Sequence, residues 1–529
     1  MTRLVLGPLL RYAGETEATI WVETDGPCTV EVLGHRERTF AVAGHHYALV
    51  RVAGLPRDAQ TPYEVQLDGA PAWPPPDAPP SLIRTQGRDG PVRIAFGSCR
   101  ICAPRGPDAL RLLAERLRRG DPATWPHALM LLGDQMYADD PASETRAFIR
   151  SRRDAARPPG EQVADFEEYA HLYRTSWGEP LIRWLLSTLP TAMIFDDHDV
   201  HDDWNTSDAW VREKRAQSWW GERIVGAFMS YWLYQHLGNL EPRELEADEL
   251  YARVRDEADG TAALREFAAR ADRDPSSTRW SFARAIGPAR LIAIDTRAGR
   301  VLDPGRRSML DAGEWAWLED QATGGVEHLL IGSSLPLLLA PSLHHVEAWN
   351  EAVCDGVWGA PAARLAERAR QGLDLEHWAA FRASFQRIWE LLGAVGAGRR
   401  GPAPSSIVVL SGDVHHAYLA DVAFPRSAGV RSAVWQAVCS PFRNPLADWH
   451  RAGVRFAFTR ASASLTRAFA RAARVPDPPV RWRLLHGPWF DNQVAMLDLD
   501  GSSARLTLER ALGAGAGERL ERVLDRRLA

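Results

Sequence analysis

Six short apolar runs, each ending abruptly in polar residues, most constrain how this chain can fold. Runs of about five apolar residues are typical of strands buried on both faces of a parallel sheet. In open α/β sheets, ligands bind at the carboxyl ends of such strands. We therefore expect the Cys, Asp, His, Arg and Ser residues that end the runs to face one rim. The runs are residues 93–99, 128–134, 192–199, 291–297, 328–334 and 406–413.

The chain before these runs has a different pattern. Residues 3–86 alternate apolar and polar residues between short turns, which predicts a small all-β domain. The proline-rich segment PAWPPPDAPP is typical of a linker, and we place a domain boundary near residue 88. We predict an N-terminal β-sandwich over 1–88, a catalytic α/β domain over 89–450, and a C-terminal helix and strands over 451–529 that complete or cap it.

Helical patterns lie between the apolar runs. Residues 108–119 have apolar side chains at helical spacing after a capping Asp108, and 209–237 and 362–396 are also helical and rich in tryptophan. Residues 455–475 place arginine and apolar residues at helical spacing. We favour core packing or a solvated helix there over a membrane-surface helix.

Composition excludes several classes of protein. The formal net charge is −5, so no basic surface for nucleic acid is evident. No stretch approaches 18 apolar residues, which argues against a transmembrane helix. The N-terminus lacks the pattern of a secretory signal, and the five cysteines are scattered, so we expect a cytoplasmic protein without a disulfide framework.

An acidic cluster, DDHDVHDD at 196–203, directly follows one of the apolar runs. Charged groups at the end of a buried strand are costly unless a cation balances them. Because successive residues of an extended segment face opposite ways, we predict Asp197 as a metal ligand and His198 as a substrate-facing acid. For Asp199, His201 and Asp202, a supporting role and a solvated position both stay open.

Other strand ends carry further candidate ligands. Asp134 has two carboxylate oxygens that could bridge two cations, and Tyr137 lies three residues further on. A phenol binds a metal only when a strong Lewis acid such as ferric iron removes its proton. The thiol of Cys99 favours iron or zinc over calcium. Asp413 and His415, in GDVHH at 412–416, are spaced to bind neighbouring metals.

The motifs GSC, GDQMYAD, DDHD, DTRAGR and SGDVHH resemble, in order and spacing, those of the alkaline phosphatase D (PhoD-like) branch of the calcineurin-like metallophosphoesterases. The resemblance covers roughly residues 90–450. It implies a four-layer α/β/β/α sandwich preceded by a small fibronectin III-like β domain. It also implies ferric iron plus calcium or another divalent ion. The implied ligands are Cys99, Asp134, Tyr137, Asp197 and a histidine or aspartate of the GDVHH motif, where we predict Asp413 and His415.

The resemblance implies metal-dependent hydrolysis of a small phosphate ester by an activated water. Arg297 and Arg300 match the family's arginines near the phosphate, and Arg100 is a further candidate for a phosphate clamp. Where the family pattern leads us to expect an amide after residue 332, this chain offers Ser333 or Ser334 instead, or else one of the residues His344 and His345. The insert at 344–390 resembles a substrate-side lid. The role of His416 stays open.

Two other functions are compatible with these residues. The same metals would serve a phosphodiesterase acting on lipid or nucleotide diesters. A non-catalytic protein, in which the metal site is structural and the β domain binds a partner, is the other alternative. The sequence does not distinguish monoester from diester substrates.

Overall fold

The computed structural model describes residues 1–87 and 90–529. The predicted domain boundary near residue 88 lies outside the described residues. The N-terminal part is all-β, as predicted, and forms sheets ordered β1-β2-β6-β5, β4-β3-β8-β9 and β10-β7. Its strands are β1 (Leu4–Ala13), β2 (Glu17–Thr24), β3 (Thr29–Val32), β4 (His35–Arg38), β5 (Phe40–Val42), β6 (His45–Ala53), β7 (Gln60–Tyr63), β8 (Val65–Leu67), β9 (Ala70–Trp73) and β10 (Ser81–Arg84).

The rest of the chain is built on two larger sheets. One has the order β13-β12-β11-β21-β22-β23, and the other has the order β14-β15-β16-β17-β19-β18-β20. These strands are β11 (Val92–Gly97), β12 (Ala128–Leu132), β13 (Thr191–Ile194), β14 (Phe282–Ile286), β15 (Ala289–Ile294), β16 (His328–Ser333), β17 (Ser406–Ser411), β18 (Ala417–Ala423), β19 (Ala433–Val438), β20 (Arg481–Trp489), β21 (Gln493–Asp500), β22 (Ser503–Leu512) and β23 (Arg519–Arg527).

Helices connect the strands and cover the outer faces of both sheets. A π-helical turn over Tyr231–His236 continues the sixth of them. The α-helices are α1 (Ala109–Arg119), α2 (Ser143–Arg152), α3 (Phe166–Trp177), α4 (Pro180–Thr188), α5 (Asp208–Arg215), α6 (Trp220–Ser230), α7 (Pro242–Ala247), α8 (Glu249–Asp256), α9 (Thr261–Arg273), α10 (Ala312–Gln321), α11 (Pro341–Cys354), α12 (Ala360–Gly372), α13 (Arg382–Gly396), α14 (Asp448–Ala457) and α15 (Arg460–Ala472).

The six apolar runs are six of the parallel strands of these two sheets, and β19 is a further one, beside β17. β11, β12 and β13 pair in parallel in one sheet, and β15, β16 and β17 pair in parallel in the other. Alternate residues of each run face opposite layers. Met130 and Leu330 meet in the core between the sheets, whereas Leu131 packs under α1 and α4, and Ile331 packs under α10 and α13. This is the predicted four-layer α/β/β/α sandwich.

The C-terminal strands enter both sheets. β21 pairs antiparallel with β11, and β20 pairs antiparallel with β18. The predicted helix over 362–396 is broken: α12 ends at Gly372, and α13 begins at Arg382. No helix in the described part of the chain is long and apolar enough to span a bilayer.

Candidate metal centre

Four strands from the two sheets end at one rim. Cys99 follows β11, Asp134 follows β12, Asp197 follows β13, and Asp413 follows β17. The φ angles of Cys99, Asp134 and Asp413 are +55°, +55° and +64°. A non-glycine residue in this left-handed region costs about 1–3 kcal/mol, and such residues cluster at functional sites. The sharp turns after the strands direct these side chains toward a common centre.

Gly133 allows two of these turns to approach each other. It has a φ of +97°, and a Cβ atom there would lie 2.5 Å from the Cβ of Asp196. An alanine would therefore clash with the acidic turn and strain the backbone as well. The glycine of the GD motif sets the short distance between the ends of β12 and β13.

One set of candidate ligands combines a thiol, a carboxylate and an imidazole. Ligand atoms of Cys99, Asp134 and His415 lie within 4.8 Å of one another. The Tyr137 hydroxyl donates to Asp134 Oδ2 at 3.3 Å and accepts from Asn444 Nδ2 at 3.0 Å. The structure therefore brings all four predicted residues of this half of the site together, although their role as ligands stays a prediction.

A second set consists mainly of carboxylates. Ligand atoms of Asp196, Asp197 and Asp413 lie within 4.8 Å of one another, as do those of Asp134, Asp197 and His198. Asp134 belongs to the group with Asp197 and His198 and also to the group with Cys99 and His415, so the two halves of the site are contiguous. We did not predict Asp196 as a ligand. Our prediction assumed that successive residues of the acidic segment face opposite ways, as in a strand. β13 ends at Ile194, so this alternation does not apply to Asp196 and Asp197.

Unpartnered oxygen atoms show that this cluster fits cations. Asp134 Oδ1, Asp196 Oδ2 and Asp197 Oδ1 are buried and accept no hydrogen bond from the described residues. Burial, with a further contribution from neighbouring carboxylates, raises the pKa values of Asp134 and Asp196 well above their usual range. Buried carboxylates that lack partners are costly. Positive ions at these oxygens would supply the missing partners.

Arg297 is the cation that the chain itself provides. Its guanidinium is fully buried, and Nε donates to Asp196 Oδ1. Nη1 lies 2.6 Å from Glu376 Oε1, and Nη2 lies 3.3 Å from Asp197 Oδ1. Nη2 makes no hydrogen bond within the described chain. Arg297 thus directs one free N–H edge toward the carboxylate cluster.

Arg300 lies one layer further out. Its Nη1 donates to Asn205 O at 3.1 Å and to Glu376 Oε2 at 3.2 Å, and its Nη2 donates to Glu376 O at 3.0 Å. These bonds occupy both terminal nitrogens, so Arg300 holds Glu376, which in turn holds Arg297. The geometry favours a positioning role for Arg300 over the direct phosphate contact that we predicted.

Arg100 is not part of the cluster, contrary to our expectation for a phosphate clamp. Its Nε donates to Asp108 Oδ2 at 2.9 Å, Nη1 donates to Ser176 O at 3.0 Å, and Nη2 donates to Glu179 Oε2 at 2.9 Å. The left-handed backbone of Cys99 sends the next side chain away from the rim. Arg100 instead ties the start of α1 to the end of α3.

His198 stands at the edge of the site. Its Nδ1 lies 2.9 Å from both carboxylate oxygens of Asp139, and its Nε2 lies 3.6 Å from Asp202 Oδ1. Burial alone would lower the pKa of His198, but Asp139, Asp197 and Asp134 outweigh it and raise that pKa well above 6.5. The Asp139 carboxylate beside Nδ1 therefore favours the protonated imidazole that a general acid requires.

The other acidic-turn residues have structural partners. Asp199 accepts backbone N–H groups of Asp134 and Asp196 through Oδ2, at 3.0 and 2.9 Å, and so joins two strand ends. His201 points away from the cluster: its Nε2 lies 3.0 Å from Lys214 Nζ, and its ring stacks on Trp219. Of the three residues whose role the sequence did not decide, only Asp202 places a carboxylate oxygen near the His198 ring.

None of the substitutes suggested for the missing amide carries a free group into the cluster. Ser333 Oγ donates to Leu335 O, and Ser334 Oγ pairs with Thr296 Oγ1. His344 is buried against Phe385 and Trp482. His345 and His416 also lie outside the ligand sets found among the described residues. The ring of His345 lies beside that of His344, and the ring of His416 lies beside those of Tyr418 and Phe490.

The sequence did not predict the polar residues that contact Arg297 and Asp413 from the segment around α11 and α12. His377 lies between Glu347 and Asp413, with 2.7 Å from Nδ1 to Glu347 Oε1 and 3.1 Å from Nε2 to Asp413 Oδ2. Glu376 and His377 lie in the break between α12 and α13, and Gly372, at the end of α12, was the signal for that break. Asp139 was visible as the last residue of GDQMYAD, but we assigned it no role.

Together, the sandwich and the buried cluster of candidate ligands define an α/β/β/α protein with a candidate metal centre. Comparisons with known proteins identify the family: residues 114–474 match the model of the PhoD-like phosphatases, to which this chain belongs. These enzymes are metal-dependent phosphoesterases. The match begins after Cys99 but includes Asp134, Asp197 and Asp413.

A comparison with solved structures extends over nearly the whole chain. A solved structure titled "Structure of PhoD" is similar with a TM-score of 0.61 and 12% identity, covering 99% of this chain and 92% of that one. At this identity the likeness supports the fold alone. Residues 1–85 match a domain family of unknown function. No curated protein matches the chain. The resemblance drawn from the sequence motifs is thereby confirmed.

Proposed function

We propose that this phosphatase hydrolyses phosphate esters with a water activated by cations held in the carboxylate cluster. The observation that carries the proposal is the set of buried oxygens of Asp134, Asp196 and Asp197 that accept no hydrogen bond from the described residues, beside a thiol, a phenol and an imidazole. Such a mixed donor set, buried at the ends of strands, is costly for a protein that binds no metal.

The two halves of the cluster suit different metals. Cys99, Tyr137 and His415 offer sulfur, phenolate and nitrogen donors, which favour iron, and Asp134 completes this half. Asp197 and Asp413, with Asp196, offer carboxylate oxygens, which favour calcium or another hard divalent ion. Bound there, two such cations would polarise the phosphoryl group and lower the pKa of an attacking water toward 7.

The leaving oxygen needs a proton, and His198 is placed to provide it. Asp139 holds Nδ1 of the imidazole, and its negative charge raises the pKa of the ring and favours the protonated form. Nε2 is then the nitrogen that can donate to the departing alkoxide. Asp139 therefore fixes both the orientation and the charge of the acid.

Negative charge on the phosphoryl oxygens is stabilised from the protein side by Arg297. Its Nη2 edge faces the cluster without a hydrogen-bond partner in the described chain. Glu376, held by Arg300, fixes the other edge. A guanidinium fixed in this way is preorganised for a phosphate oxygen, so it needs little rearrangement during the reaction.

A comparison of p-nitrophenyl phosphate with bis(p-nitrophenyl) phosphate tests this proposal. We expect hydrolysis that depends on Asp134 and is abolished in Asp134→Asn, whereas Asp154→Asn, which alters an exposed carboxylate outside the cluster, serves as the matched control. Preference for the diester would favour the alternative of a phosphodiesterase on lipids or nucleotides. Stoichiometric metal without turnover of either ester would contradict the proposal and favour a non-catalytic metal-binding protein.

A further inference from the structure

Two neighbouring helices, α14 and α15, bury small residues and expose large apolar ones. A helix packed on a protein core normally does the reverse. Their buried side chains are Ala457, Ser462 and Ala470. Their exposed apolar side chains are Trp449 at 72%, Phe456 at 63%, Leu465 at 57% and Phe469 at 51% of full accessibility.

These exposed side chains lie in pairs on shared helix faces. Residues seven apart on a helix share a face, which unites Trp449 with Phe456, and residues four apart do so as well, which unites Leu465 with Phe469. Trp358, which is 42% exposed, adjoins the end of α15, because its Nε1 donates to Ala472 O at 3.5 Å. We call the surface formed by these five aromatic and aliphatic residues the docking face.

The docking face is strongly basic. Residues 448–474 contain six arginines and one acidic residue, Asp448, in a chain whose formal net charge is −5. Three of the arginines pair with Asp448 or Asp477. Within the described ranges, 1–87 and 90–529, the other three form no ion pair. They are Arg455, Arg460 and Arg474.

We propose that the docking face binds an anionic lipid surface. Aromatic and aliphatic side chains beside unpaired arginines are the combination by which interfacial helices enter the headgroup region. Anionic headgroups attract each arginine near the surface. A second copy of this chain is a poorer occupant, because two basic faces repel each other. The proposal stands on surface residues and does not depend on the proposed function.

The docking face lies next to the candidate metal centre. Phe458, between the two helices, contacts the ring of His416 with centroids 5.8 Å apart. Asn444, four residues before α14, donates to the Tyr137 hydroxyl. Lipid binding would therefore hold the rim of the phosphatase site close to the membrane surface.

Sedimentation of the full chain with vesicles tests the proposal. The vesicles contain phosphatidylcholine alone or phosphatidylcholine with phosphatidylglycerol, and binding is measured at low and high salt. We compare the wild type with F456S/F469S and with R455Q/R460Q/R474Q. L33S, which alters an exposed leucine of the β domain, is the matched control. All three variants change exposed side chains, and unchanged thermal unfolding verifies their fold.

We expect binding to the anionic vesicles that falls at high salt. The arginine variant should bind about a hundredfold more weakly, and the phenylalanine variant at least about tenfold more weakly. L33S and Asp134→Asn should bind like the wild type, which separates docking from headgroup capture in the metal centre. Equal binding to both vesicle types, full binding by both variants, or self-association that F456S/F469S abolishes would overturn the proposal.

Discussion

Replacing Arg297 with methionine removes a cation buried among four carboxylates. Its partners are Asp196, Asp197, Glu376 and Asp413. The side chain has no exposed surface, so solvent screens these charges little. Removing one partner from a buried ion pair costs about 3–5 kcal/mol, because the remaining charge is left uncompensated. We expect the free energy of unfolding of the metal-free protein to fall by this amount.

Added cations should reduce the loss. A ligand at one hundred times its Kd stabilises the folded state by about 2.7 kcal/mol. Without Arg297 the cluster is more negative and should bind a divalent ion more tightly. The difference between variant and wild type should therefore be smaller in excess calcium than in chelator.

Urea unfolding in chelator and in excess calcium measures both effects. Arg290→Met is the matched control, because Arg290 lies on β15, the strand that precedes Arg297, and bonds to Gln321 O and Thr323 Oγ1, not to a carboxylate. If Arg297→Met destabilises the chelated protein no more than Arg290→Met does, Arg297 does not balance the cluster. If excess calcium leaves the stability difference between Arg297→Met and wild type unchanged, the proposed link between the arginine and the cation site is contradicted.

Three further predictions concern single side chains. Burial alone would lower the pKa of His45, but hydrogen bonds to Glu167 and Glu23 raise it to about 9. Since a free histidine titrates near pH 6.5, the stability it contributes, about 1–3 kcal/mol, is present below that pH and lost as pH rises through about 9. The difference in urea unfolding between wild type and His45→Gln should shrink accordingly, and a constant difference would contradict this. His198→Gln should lower kcat about 10²–10⁴-fold for esters of poor leaving groups and less for p-nitrophenyl phosphate. Equal losses would argue against a general acid. Tyr137→Phe should abolish the tyrosinate-to-iron charge-transfer band of the iron-loaded protein, whereas absorption from the Cys99 thiolate should remain, and an unchanged spectrum would exclude a tyrosinate ligand.

The sequence was most informative where one physical rule determines structure. Short continuous apolar runs predicted β11, β12 and β17, because strands of a parallel sheet are buried on both faces and these runs are too short for a typical buried helix. The break between α12 and α13 was missed because apolar residues continue at helical spacing through 373–381. Only Gly372 signalled the end of the first helix.

The residues of the candidate site also divide into those that the sequence predicted and those that it did not. Asp134, Asp197 and Asp413 could be identified because each follows a buried strand, where an unbalanced charge is costly. Glu376 and His377 could not, because only the packing of the insert on the rim brings them to the cluster. Arg100 was wrongly placed there, because the left-handed turn at Cys99 reverses the direction expected of the next side chain.

Metal content and turnover, determined on the same samples of wild type and Asp134→Asn, test the central claim most directly. Asp134 belongs to both the thiol set and a carboxylate set, so losing its charge should disturb both halves of the site. We predict that the wild type contains iron and a divalent ion and hydrolyses a phosphate ester, and that Asp134→Asn loses both metal and turnover. Full activity in Asp134→Asn, or undiminished turnover in wild type stripped of metal, would contradict the account.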